Sequence, residues 1–173
     1  MTQLTYNEAF DPYHAAFRLV RLHMACGITT RVPFETIRIL DFYLLFPFRL
    51  QSMRFLDDDK SWRKVSKAYS DQAPYGMMPE DIVIFSRMEP FQRAAASSLV
   101  SSGYLVPEAW DQNEVQFTQE AIPDPLRLRC SELNNRMKDI VEILCQIRIS
   151  YPLRGRNGLK DRTGLLEYRY DPI

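Results

Sequence analysis

The chain has 173 residues, 46% of them apolar and 25% charged, which is enough for one domain with a real core. Lysine plus arginine and aspartate plus glutamate each number 22, so the formal charge is zero and any phosphate-contacting surface must be a local patch. Three dispersed cysteines, Cys26, Cys130 and Cys145, argue against a secreted disulfide framework and fit a reducing cytoplasm.

Residues 1–56 read as an N-terminal helical part. Met1 to Tyr6 lacks a basic start followed by an apolar run, so no signal peptide is expected. Asp11-Pro12 sets a cap and a first-turn proline, Tyr13, Phe17, Val20 and Met24 form one stripe, and Gly27 ends the helix. Thr29-Thr30 and Pro33 open the next. There Ile37, Leu40, Leu44 and Leu45 face one way while Ile39, Phe42, Tyr43 and Phe46 face the other, so the helix is central or covered by a partner. Arg38, Asp41, Pro47 and Arg49 interrupt this greasy run, which is too short to span a bilayer. No membrane partner is expected.

Residues 57–78 form a charged connector, switching from Asp57-Asp58-Asp59 to the basic stretch from Lys60 to Lys67. Residues 79–122 follow the order of a winged helix-turn-helix. Pro79-Glu80-Asp81 opens one helix, Phe91 to Ser102 makes a second, and Gly103 stops it. Tyr104 to Val106 and Glu114 to Phe117 read as the strands of a small β-hairpin wing, with Trp110 in its tip. Residues 123–150 read as one C-terminal helix, opened by Pro123-Asp124-Pro125, with a seam of Leu126, Leu133, Met137, Ile140, Leu144 and Ile147. Pro152 closes it, and 151–173 is a basic, aromatic tail in which Glu167 to Tyr170 alternates like a strand. The fold class is therefore mainly α, an α+β arrangement: a helical protein carrying a winged helix.

Chemistry is hard to find in this pattern. His23 and Cys26 are three apart on one helix, but a tetrahedral metal site needs a second close pair, and Cys130 and Cys145 lie far apart. No Gly-x-Ser-x-Gly elbow, reactive-cysteine signature or Walker loop is present, so no cofactor is expected. Asp41 is a carboxylate inside an apolar helix, best read as a structural buried acid with Arg38 as its neighbour three residues away. A protein without a catalytic constellation is expected not to be an enzyme.

The helix before the wing offers only Gln92 and Arg93 besides serines, while Glu108, Asp111 and Glu114 make the wing acidic. Base reading needs Arg, Lys, Asn or Gln on that helix, so a protein-binding surface is favoured. Its candidates are Phe91, Gln92, Arg93, Ser97, Ser98, Trp110, Tyr168 and Tyr170. Lys60, Arg63, Lys64 and Lys67, with Arg154 and Arg156 in the tail, are candidates for non-specific phosphate contact, or simply solvated faces.

Several stretches carry a family resemblance. They are Phe10-Asp11-Pro12-Tyr13-His14 preceded by Tyr6, the run from Ile37 to Pro47 containing Asp41-Phe42-Tyr43-Leu44-Leu45-Phe46-Pro47, and Phe85 to Gln92 followed by Gly103 to Val106. Over its first two thirds the chain resembles the middle component of bacterial ABC three-component defence systems of the Lamassu type. The resemblance implies a non-enzymatic winged-helix adaptor in an antiphage complex. It would bridge an SMC- or Rad50-like ATPase and a nuclease-type effector, keeping the effector inactive until foreign DNA is sensed, with DNA touched non-specifically through the complex. A stand-alone winged-helix DNA-binding regulator is the alternative reading.

Overall fold

A computed structural model describes residues 8–167 and resolves why each segment takes its form. Helix α1 (Pro12–Cys26) is capped by Asp11, whose carboxylate accepts from the Tyr13 and His14 amides at 2.7 and 3.1 Å. Gly27 closes it at φ +60°, a conformation that disfavours a side chain. After strand β1 (Val32–Pro33) comes helix α2 (Phe34–Leu45), buried on nearly every face. It is the centre of this chain's own core. Phe42 makes ring contacts with Tyr43, Phe46 and Phe85, at centroid distances of 5.3, 5.3 and 5.9 Å. Burying a side chain of this size contributes about 1.5–3 kcal/mol.

Pro47 turns the chain into a 3-10 segment, Pro47–Ser52, and the acidic-to-basic switch leads into helix α3 (Trp62–Lys67). Ser66 anchors α3 by donating to the Pro47 carbonyl at 2.6 Å. Trp62 lies edge-on to Phe55, its ring centroid 5.6 Å away.

The expected pair of helices at 79–102 is instead one continuous helix, α4 (Asp81–Ser101), with Pro90 inside it. There is no turn at Phe91. Proline removes one intrahelical donor and crowds the preceding turn, a cost of about 3 kcal/mol that predicts a break. The helix runs through because residues on both sides of Pro90 bury against the same core: Ile84, Phe85 and Met88 before it, Ala95, Ala96 and Leu99 after. Arg38 also donates to the Phe85 carbonyl at 3.2 Å, next to the carbonyl that Pro90 leaves without its usual partner.

Past Gly103 the expected hairpin is reduced to an antiparallel bridge of Leu105 with Phe117, the Val106 amide donating to the Gln116 carbonyl at 2.9 Å. Strand β2 (Glu114–Val115) also pairs with β1, Val32 facing Val115 and Pro33 facing Glu114. The segment between is not an extended wing tip. It holds helical turn α5 (Pro107–Trp110), and Trp110 meets Phe34 edge-on at 4.8 Å.

The single helix expected at 123–150 is divided at Met137 into α6 (Asp124–Arg136) and α7 (Lys138–Ser150). Met137 leaves helical geometry at φ −119°, ψ 33°, and Asp139 accepts from the Ile140 amide at 2.8 Å, a local bond that competes with helix continuity. The break lets α6 lie along α1 while α7 packs on α1, α2 and α3. Beyond it, Tyr151, Leu153, Leu159 and Leu165 are buried, and helix α8 (Leu159–Thr163) ties back to Arg54 through Asp161 at 2.8 Å. Tyr151 donates to Asp59 at 2.7 Å, and burial pushes its phenol up to about 12.

Candidate functional site

The polar centre of the molecule is a buried network where α1, α2 and α4 meet. Asp41 is fully buried on α2 and takes two bonds from Arg18 of α1, Nε to Oδ1 at 2.6 Å and Nη2 to Oδ2 at 3.2 Å. Gln92 of α4 donates to the same carboxylate at 2.8 Å and accepts from Arg38 Nε at 3.0 Å. The neighbour expected from spacing, Arg38, therefore does not hold Asp41 directly. It lies over the Phe85 ring at 4.3 Å and pairs with Glu89 at 3.3 Å. Burial lowers the Arg38 pKa, opposed by the nearby carboxylates of Glu89 and Glu35. Such a network fixes the mutual placement of three helices, because each charge is satisfied only in one arrangement.

The interface candidates divide accordingly. Gln92 is enclosed in that network, so the reading of it as a surface residue is corrected: a polar side chain on the inward face of α4 has a buried carboxylate to bind. Phe91 is half-buried against Phe10, with ring centroids 5.8 Å apart. Arg93, Ser97 and Ser98 are exposed on the outer face of α4. Arg93 spans Glu89 at 3.0 Å and Asn113 at 3.3 Å while covering Phe34 and Trp110, so it and Trp110 do come together. Tyr168 and Tyr170, like the rest of the proposed terminal strand after Glu167, lie outside the described residues.

Of the phosphate-contact candidates, Lys60 is paired with Asp57 at 2.6 Å, whereas Arg63, Lys64 and Lys67 stand exposed on α3 without an ion pair among the described residues. Arg154 and Arg156 are likewise exposed in the loop before α8. Tyr75 and Met77 are fully exposed ahead of α4, and Ile82 and Val83 are partly exposed in its first turn.

His23 and Cys26 do not face a common ligand. His23 stacks flat on Phe117 at 4.0 Å and 7°, and burial pushes its imidazole below the ordinary value. Cys26 is bonded to Cys145, although 119 residues separate them in sequence, because α1 and α7 bring their Cα atoms to 5.1 Å. The reading of dispersed, unpaired cysteines is corrected on this point; Cys130 alone is free, and it is buried. Among the described residues no group of three or more His, Cys, Asp or Glu is placed to hold a metal, and no helix is long and apolar enough to cross a membrane.

Sequence reasoning missed Arg18, although a lone carboxylate in an apolar helix calls for a cation from elsewhere in the chain. It also missed the cysteine pairing, for which spacing carries no signal.

The fold and its polar centre define a helical scaffold whose buried charges hold helices together. The chain belongs to the ABC-three component (ABC-3C) system Middle Component 5 family, whose model matches residues 4–171. The match extends well past the two thirds that the sequence motifs covered and takes in the tail. No curated protein and no solved structure matches the chain. Membership implies partner components in a multi-component system.

Proposed function

We propose that this protein is a non-catalytic adaptor in a cytoplasmic antiphage complex of the Lamassu type. It bridges an SMC- or Rad50-like ATPase and a nuclease-type effector, restraining the effector until foreign DNA is sensed. The observation that carries this reading is the family match, which runs across residues 4–171. The surface supports it: α4 presents Arg93, Ser97 and Ser98 outward in its second half, and Tyr75, Met77, Ile82 and Val83 are exposed before it and in its first turn. We read the outer face of α4, with the ribbon around Leu105 and Phe117 behind it, as a surface that meets protein rather than bases. Small side chains there permit close approach by another helix, and apolar neighbours supply area to bury.

The test is co-expression with an ATPase encoded beside this gene and with the adjacent effector. Recovery of a stoichiometric complex is expected, and Ser97→Arg with Ser98→Glu, exposed changes that spare the fold, should abolish it. Retention of the complex by that double variant sinks the α4 surface, and a monomer that recovers neither partner sinks the adaptor reading.

One observation favours the second reading, a DNA-binding regulator: Arg63, Lys64 and Lys67 have no carboxylate partner among the described residues. It predicts duplex binding that weakens steeply with salt and is lost on reversing Lys64 and Lys67 to Glu.

A further inference from the structure

A pocket of about 240 Å³ opens at the head of α2, away from the polar network and from the outer face of α4. Its walls are Thr30 to Pro33 on the approach to α2, Thr36 in the first turn, and Arg148, Tyr151 and Leu153 from the end of α7 and the loop beyond. The lining holds two arginines and two threonines and no carboxylate.

What marks it is a surplus of donors. Thr36 is only 5% exposed, yet its hydroxyl has no hydrogen-bond partner among the described residues. The Arg148 guanidinium is held by Nη2 donating to the Cys26 carbonyl at 2.7 Å, and its unpaired Nε is sealed from solvent, so neither of these two groups is offered to the pocket. Arg31 makes only a loose 3.6 Å ion pair with Glu114. Helix α2 has no side-chain cap at Pro33, although its first amide, that of Phe34, donates to the Asn113 carbonyl at 2.9 Å. Glu35, the one carboxylate in that turn, is paired with Lys160 at 3.1 Å. A buried hydroxyl left without a partner is costly, and an oxyanion in this pocket meets the Thr36 hydroxyl and the guanidinium groups of Arg31 and Arg148 together. The larger cleft of about 560 Å³ beside α1 has no such surplus, because Arg18 and Arg21 within it are bonded to Asp41 and Asn134.

We propose that this pocket binds a phosphoryl group, with Thr36, Arg31 and Arg148 as its donors. The site stands independently of the adaptor reading. Its source is either a free phosphate or the terminal phosphate of a nucleotide or strand end.

The experiment titrates inorganic phosphate into the full chain at ionic strength held constant with sodium chloride, followed by calorimetry and thermal melting. Saturable binding with a rise in Tm is expected. Thr36→Val and Arg31→Gln should each weaken it at least tenfold while leaving the phosphate-free Tm unchanged or, for Thr36→Val, higher. These two are used because Arg148 also holds the Cys26 carbonyl and its loss could unfold the corner. A 5′-phosphorylated oligonucleotide is compared with its unphosphorylated twin. Tighter binding of the first assigns the phosphate to a strand end; equal binding, with inorganic phosphate still active, assigns a free anion. No saturable response, or full affinity in both variants, overturns the site and leaves water as the pocket's occupant.

Discussion

Arginine and carboxylate meet in two regions of this protein under opposite conditions. In the α1–α2–α4 network, Arg18 and Asp41 are 5% and 0% exposed at the side chain, and every donor facing the carboxylate comes from a different helix. On α6, Arg129, Glu132 and Arg136 form a row of pairs at 3.0 and 2.5 Å, but all three side chains are about half exposed. Equal geometry does not mean equal energy. Water screens the α6 pairs, which are worth about 0.2–1 kcal/mol each. Removing one partner of the buried pair strands a charge where nothing else solvates it.

The largest effect should therefore come from Asp41→Ala, which we expect to cost about 3–5 kcal/mol in chemical denaturation. Adding Arg18→Met should recover part of that loss, since both charges are then gone. A cost below 1 kcal/mol would mean that water reaches Arg18 and that the two regions do not differ. An intermediate case is the half-buried bond from Cys26 to Cys145. Opening it with reductant, or by Cys145→Ser, is expected to lower stability by about 2–4 kcal/mol, because it closes a long loop. Thiol titration of the denatured, unreduced protein should find Cys130 alone; three reactive thiols would show that no such bond forms. The smallest effect belongs to Glu132→Ala, expected below about 1 kcal/mol and shrinking further as salt is raised. A loss matching Asp41→Ala would end the contrast.

The same contrast explains which parts of the molecule were legible beforehand. Local rules were enough for α1, where Asp11, Pro12 and Gly27 mark both ends, and in part for the ribbon, where Leu105 faces Phe117 while Glu114 and Val115 pair with Pro33 and Val32 instead. They failed at Pro90, where a local cost was outweighed by apolar faces packing on both sides, and at Met137, where a continuous seam conceals a break. They failed also at the site. Gln92 has the composition of an interface residue and the position of a buried ligand to Asp41, and only the direction of α4 separates the two.

By itself the sequence determined a mainly helical chain, a nearly all-apolar helix at about 33 to 46, and a set of motifs marking its family, because these depend on neighbours a few residues apart. The tertiary structure alone decided that Arg18 answers Asp41, that Cys26 reaches Cys145 across 119 residues, and that Thr36, Arg31 and Arg148 surround one pocket. Those pairings depend on how helices cross, which is set by the summed burial of the whole core and is carried by no single stretch of residues.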